Sequence, residues 1–323
     1  IRPVRGKNLP LMYDRKTVKE VYEKDKSTLY SLINGAVHFD GDRIQVSNHL
    51  EMLGDINFRT GNIDFDGYLT IKGTIEDGFS VAAEKDIEIL GEIGIGSVRE
   101  VVSRDGSIYI RGGIAGNNKA IIRSKKNIYT KFVSNATIEC EGCVHIGFYC
   151  LNSNIKAKEV ILDSPKGQII GGNIKAEIRV VSSIIGSTGE KRTFVSVSGF
   201  NRDSMKAELD SILPEIEKLK LDLTRVKLDI ASFDNYAALS VEQMAAYNEA
   251  QEKYYNIRDK LSRLEEKRKT LSGYLKTRGE GEVAILKKAY PNTQIEIKGK
   301  IKEITSPVIS TAFFVQDGEL MEI

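Results

Sequence analysis

A short motif recurs along the chain: a turn carrying Gly or charged residues, then a strand in which apolar and polar residues alternate. It reads Asp66-Gly67-Tyr68-Leu69-Thr70-Ile71-Lys72-Gly73, then Lys85-Asp86-Ile87-Glu88-Ile89-Leu90-Gly91, then Asp105-Gly106-Ser107-Ile108-Tyr109-Ile110-Arg111-Gly112. Weaker copies open at Lys126, Glu141, Lys158 and Glu177. The first apolar anchors, Leu69, Ile87, Ile108, Ile128, Val144, Val160 and Ile178, are 18, 21, 20, 16, 16 and 18 residues apart. A repeat of that length holds three short strands, none of which can bury a face alone. Stacking each repeat on the next makes one continuous core, so the spacing predicts a β-solenoid. Corners that accept insertions favour a right-handed parallel β-helix over the left-handed hexapeptide form, although a mean near 18 also fits three hexapeptides. A β-sandwich is the alternative that many short strands leave open.

The glycines mark where this pattern holds. Of 28, residues 1–201 carry 23, residues 202–278 carry only Gly273, and residues 279–323 carry four. Most are read as corner residues that relieve φ > 0 at tight bends. Gly112-Gly113 and Gly171-Gly172 precede no helical pattern and no Gly-Lys-Ser/Thr, which sets aside a phosphate loop.

From Met205 the period changes. Met205, Leu209, Ile212, Ile216, Leu219, Leu223, Val226, Ile230 and Phe233 alternate four and three apart, a heptad a/d stripe. A second stripe, Tyr247, Ala250, Tyr254, Ile257, Leu261, Leu264, Arg268, Leu271 and Leu275, repeats it. Ser240 with Gln243 forms a capping box that restarts the helix. Two long helices joined by a short loop predict an antiparallel coiled-coil hairpin. Pro214 either kinks the first helix or lies in its first turn, with Ser211 as a cap. After Gly279 the chain returns to strand patterns at 283–286, 294–297, 300–304 and 313–315, with a turn at Asp317-Gly318.

The expected organisation is therefore mainly β: a β-rich lead-in or cap over 1–55, the right-handed β-helix over 56–201, the coiled-coil hairpin over 202–278, and a β segment over 279–323 that rejoins the β-helix. β-Rich caps make sense because a rod end exposes apolar core and unpaired strand edges.

The run Thr60-Gly61-Asn62-Ile63-Asp64-Phe65-Asp66-Gly67, followed by Ile71-Lys72-Gly73 and Glu76-Asp77-Gly78-Phe79-Ser80-Val81, resembles the opening of the flagellar assembly protein A family. Ile110-Arg111-Gly112-Gly113-Ile114-Ala115-Gly116, Gly167-Gln168-Ile169-Ile170-Gly171-Gly172-Asn173, the coiled coil and Tyr290-Pro291-Asn292 resemble it too. The likeness covers essentially the whole chain. It implies a right-handed β-helix with a coiled-coil hairpin, a bacterial cytoplasmic setting, and a role in flagellar or cell-surface assembly through protein contacts. The corners Lys126-Asn127 and Lys158-Glu159 depart from the family's paired glycines. The resemblance implies a further N-terminal domain, which this stretch is expected to lack, since its opening at Ile1-Arg2-Pro3 reads as neither an initiator nor a signal peptide.

Chemistry is hard to find. Cys140-Glu141-Gly142-Cys143-Val144-His145, with Cys150, is the one constellation with metal-ligand residue types. Alternation sends Cys140 inward, Cys143 into a corner and His145 outward, so they diverge and Cys140 reads as a small core residue. Outward acids Asp64, Glu88, Glu139 and Asp163 are not grouped as a polysaccharide-cleaving β-helix would need. Only His145 lies on the repeats, whereas a solenoid acyltransferase needs a catalytic His at a cleft. No catalytic, cofactor-binding or metal residue is nominated, and no cofactor is expected. Segment charges of +3, +1 and −2 argue against nucleic acid, and no apolar run approaches the ~18 residues of a membrane span. Three local cysteines fit a reducing cytoplasm better than a disulfide framework. The expected function is a non-enzymatic scaffold with protein partners, engaged through the coiled-coil arm, or a homo-oligomer. The alternative is a carbohydrate-active β-helix enzyme or glycan-binding protein.

Overall fold

Strict alternation along each short strand sends one residue in two to a common interior, and the chain stacks those residues in three parallel ladders. The structure, a computed structural model, describes residues 10–23, 26–233 and 240–323. On the first face Leu50, Leu69, Ile87, Ile108, Ile128 and Val144 pair in register. On the second, Ile56, Ile75, Ile95, Ile114, Val133, Cys150 and Ile169 do so. The third runs Ile63, Val81, Val101, Ile122, Ile138, Ile155, Ile174, Val195 and Ile295. Apart from Leu50 and Ile63, every one of these side chains is at most 2% exposed. Each buried Ile or Val contributes about 1.5–3 kcal/mol, and because every rung touches only its neighbours the core grows in one dimension. The molecule is a β-solenoid of about eight turns, roughly 38 Å long at the spacing of hydrogen-bonded strands. Parallel ladders throughout the rod exclude a sandwich.

One anchor differs from the sequence reading. Val180, not Ile178, pairs with Val160 on the preceding rung and with Val283 on the next. A register shift between Ala157 and Glu159 absorbs one extra residue in the partner strand, a β-bulge that re-aims the side chains around it. Ile178 is still buried, in a separate cluster with Phe200 and Tyr274. Ladder pairing also begins at His49–Met52, inside the stretch assigned to the lead-in.

The corners are shared between Gly and Asn. Between the second and third faces Asn117, Asn118, Asn135 and Asn152 take φ of 46°, 60°, 49° and 47°, and Gly171 and Gly172 take 64° and 81°. Asn tolerates this left-handed region better than other non-glycine residues.

Ahead of the rod lie a three-stranded sheet, Met12–Tyr13, Arg43–Ser47 and Ala36–Asp40, and a hairpin of Val18–Glu23 with Lys26–Ser31. At the far end the strand direction reverses. Lys300–Ile304 pairs antiparallel with Thr293–Ile297, Val308–Gln316 with Glu282–Ala289, and Glu319–Glu322 with Val308–Gln316. Phe313, 0% exposed, closes the core beneath this cap.

Between the strands Thr193–Val197 and Glu282–Ala289 the chain leaves the rod as a helical arm. Helix α1 spans Arg202–Ala231, capped by Asn201, whose Oδ1 accepts from Ser204 N at 2.9 Å. Helix α2 spans Val241–Lys276 and starts with the expected capping box of Ser240 and Gln243. The heptad positions Ile212, Ile216 and Leu271 form the arm's own core, with Met205, Leu209, Leu261 and Leu264 packed against it. Ion pairs Lys260–Glu215 at 2.7 Å and Lys220–Glu265 at 3.2 Å cross the antiparallel seam. Pro214 lies well inside α1 and Ser211 caps nothing: its hydroxyl donates back to Glu208 O. The helix gives up the one bond that a residue at 214 would have donated to the carbonyl of Asp210. At about 1.5 Å per residue the two helices are roughly 45 and 54 Å long.

Candidate interaction surface

The cysteines resolve into structural positions. On the inner side of the third face Ser103, Ser124 and Cys140 stack in register, and each donates to the carbonyl of a corner residue below it. The bonds are Ser103 Oγ to Lys85 O at 2.8 Å, Ser124 Oγ to Gly106 O at 2.9 Å, and Cys140 Sγ to Lys126 O at 2.8 Å. Cys140 thus fills a hydroxyl position in a small-residue ladder. Cys150 is fully buried on the second face. Burial pushes the thiol of Cys140 up to about 11 and those of Cys143 and Cys150 up to about 12, the wrong direction for a metal ligand or nucleophile. His145 stacks on Tyr129, which stacks on Tyr109, with ring centroids 4.8 Å apart at each step. Burial pushes its pKa down. Among the described residues no group of His, Cys, Asp and Glu is placed to hold a metal ion.

The outward side of the third face carries charges arranged by rung. Asp64 and Arg104 make a bidentate pair, 2.8 Å at both oxygens, across two rungs, and this bond holds the Asp64 carboxyl below its usual range. Arg123 lies between Glu100 and Glu139, and Lys125 pairs with Glu141 at 2.6 Å. Arg104, Arg123, Lys125, Glu139 and Glu141, with Lys156, line a shallow cavity of about 360 Å³. All are substantially exposed, so each pair contributes on the order of 0–1 kcal/mol. Their effect is to fix a charge pattern on the surface. Of the outward acids, Asp64 and Glu139 lie on this face and are held by arginines. Glu88 lies on the first face, where it accepts from Thr70 Oγ1 at 3.3 Å. They do not converge.

Where this face meets the arm, several contacts join the two helices at their base and fix them to the rod. Arg202, the first residue of α1, donates to Leu275 O at 2.6 Å, Thr277 O at 2.8 Å and Gly279 O at 2.9 Å. One guanidinium therefore satisfies the open carbonyls at the end of α2 and beyond it, where a positive charge is also favoured. Tyr274 lies edge-on to Phe200, centroids 5.0 Å apart, and donates its hydroxyl to Glu177 Oε1 at 2.7 Å. Lys158 Nζ sits 4.4 Å over the Tyr274 ring. Burial first, and then the bond to Glu177, push the Tyr274 phenol well above its ordinary value. Burial lowers the Lys158 ammonium. Ile178, turned out by the bulge, completes the apolar floor.

None of this root was nominated from the sequence. The column Tyr109, Tyr129 and His145 was legible, since each residue directly follows an anchor. The root carried a fainter signal: Arg202 and Tyr274 stand at the two ends of the heptad stripes, where one turn of each helix has to meet the rod.

The sequence model of the Flagellar Assembly Protein A beta solenoid domain matches residues 48–320. No curated protein and no solved structure matches the chain.

Proposed function

The chain belongs to the Flagellar Assembly Protein A family, and from that premise we propose that it is a non-enzymatic bacterial scaffold. The solenoid is a stiff base and the coiled-coil arm carries protein contacts in flagellar or cell-surface assembly. The observation that carries this reading is the root: Tyr274 and Ile178 hold the arm against the rod, and Arg202 ties the base of α1 to the end of α2. Such fixation is useful to a protein that presents a surface at a set position and has no use in a free tether. The arm provides partner contacts, or contacts with a second copy, along its exposed flanks. A cytoplasmic site of action fits three cysteines that remain free thiols.

The arm can be excised cleanly, because Phe200 N already donates to Glu280 O at 2.9 Å across its base. A chain in which residues 202–278 are replaced by a short Gly-Ser turn, with Phe200→Ser to avoid exposing an aromatic ring, should keep the cooperative melting of the rod. In a flagellated bacterium it should lose partner pull-down and swimming. Retained pull-down and motility would overturn the recruiting role of the arm.

A further inference from the structure

On the third face, beside the arm root, two lysines stand next to each other, and neither is ion-paired among the described residues. Lys156 and Lys175 occupy the same outward column on successive rungs, and both are exposed. In the neighbouring column Asn154 and Asn173 are paired in the same way. None of these four side chains has a hydrogen-bond, ion-pair or ring partner among the described residues. Elsewhere on this side of the rod Arg104, Arg123, Lys125 and Lys298 each have an acidic partner. Like charges facing each other one rung apart destabilise a sheet, and a single Glu or Ser at either position would have relieved it. Glu139, opposite Lys156 on the preceding rung, is bonded to Arg123, and Glu177 to the Tyr274 hydroxyl, while Glu296 lies two rungs beyond Lys175 with Ser196 between them. Lys158, two residues along from Lys156, adds a third ammonium under the arm.

We propose that this crook between the third face and the arm root docks an extended acidic segment of a partner protein. Carboxylates would pair with Lys156 and Lys175, and the amides of Asn154 and Asn173 would meet main-chain groups of the segment. Charge complementarity selects the occupant. The site offers two unpaired cations and neutral donors along the strand direction, with Phe194 as the one aromatic ring beside Asn173, which matches an extended acidic strand. The inference rests on the scaffold reading for its choice of a protein partner, but it uses a surface of the rod that arm excision leaves in place.

The test titrates a fluorescein-labelled decaglutamate peptide into the full chain at low and moderate salt, read by anisotropy. Binding should weaken as salt rises. K156Q/K175Q should lower affinity about tenfold, as expected for the loss of two partly exposed ion pairs. N154A/N173A, which leaves every charge in place, should cost a few-fold. K206Q/K218Q on the outer side of α1 should change nothing. Equal losses in the arm and rod variants would overturn the site, since binding would then follow overall charge. Tighter binding of an oligogalacturonate of equal length, abolished by K156Q/K175Q, would overturn the protein segment in favour of an acidic glycan. Absence of peptide binding to the parent chain overturns the proposal outright. A failure here leaves the arm-excision result standing, because the excised chain retains all four residues.

Discussion

Ile178→Ala separates the two packing units of this chain. The side chain is 1% exposed and its neighbours are Phe200 and Tyr274, with Met205 alongside, all of them at the arm root and none in the rod's core. Truncation removes three carbons from a site whose aromatic walls are held by other contacts, so little collapse is available and the cost should be about 2–4 kcal/mol. That cost falls on docking of the arm, multiplying the undocked fraction roughly 30- to 1,000-fold. Val180→Ala, two residues away, instead removes two methyl groups from the first-face ladder between Val160 and Val283 and should cost about 1.5–3 kcal/mol within the rod. Native-state hydrogen exchange read by mass spectrometry distinguishes them. In Ile178→Ala, peptides covering 202–216 and 262–276 should exchange faster while those covering 283–297 keep their protection. Val180→Ala should do the reverse. If Ile178→Ala strips protection from the ladder as strongly as Val180→Ala does, then Ile178 belongs to the rod and the bulge assignment fails.

Corner chemistry gives a second test. A Cβ on Gly142 would collide with the carbonyl of Lys126, whereas one on Gly54 meets nothing within 4 Å. Gly142→Ala should therefore destabilise by at least about 2 kcal/mol, and Gly54→Ala should gain about 0.4–1 kcal/mol, both read from thermal melts. Asn135, at φ 49°, should cost about 1 kcal/mol as Ala and little as Gly. The thiols, pushed up from 9.0 to about 11 or 12, should react with Ellman's reagent at pH 8 at least about a hundredfold more slowly in the folded chain than in urea. Because these pKa values are raised on folding, the stability they contribute is complete below about pH 9 and is lost progressively as pH rises from there through 11 to 12. A melting temperature that rises or falls between pH 6 and 8 must then come from other groups. Tyr274→Phe removes a hydroxyl bonded to a carboxylate and should weaken arm docking by about 1.5–3 kcal/mol, with faster exchange confined to the root peptides.

The rod was legible because its signal is one-dimensional and repeated. Leu69, Ile87, Ile108, Ile128 and Val144 are each the first apolar residue after a turn, and the structure stacks them without a slip. The series broke at Ile178, where an apolar residue on each side of a bulge offers two equally good anchors and only the register of the neighbouring rung decides. The asparagine corners were passed over for a related reason. Gly announces a left-handed turn by its identity, while Asn is equally at home on an exposed strand, as Asn154 and Asn173 are. The arm's heptads were plain, but its attachment was not. Arg202 works by reaching carbonyls more than seventy residues away, a pairing that no local pattern contains. The same limit applies to the lysine pair, which becomes a pair only once the rungs are stacked.

The insertion point explains how a solenoid can carry such an arm without losing its ladder. The chain leaves after Val197, which pairs with Ala176 on one side and Ile297 on the other, and it returns at Glu282 opposite Arg179. The excursion thus replaces a corner, and no strand is interrupted. In a stack where each rung contacts only its neighbours, a corner is the cheapest place for extra chain, because closing a longer loop costs only a few tenths of a kcal/mol for a modest lengthening. Arm length is then free to vary while the root stays fixed. Removing one heptad from each helix, residues 219–225 with a matching seven from α2, keeps the a/d seam in phase and shortens the arm by about 10 Å. If the tip makes the functional contact, motility should fall with that shortening while peptide binding at Lys156 and Lys175 is unchanged. If the root and the rod face make it, neither should move.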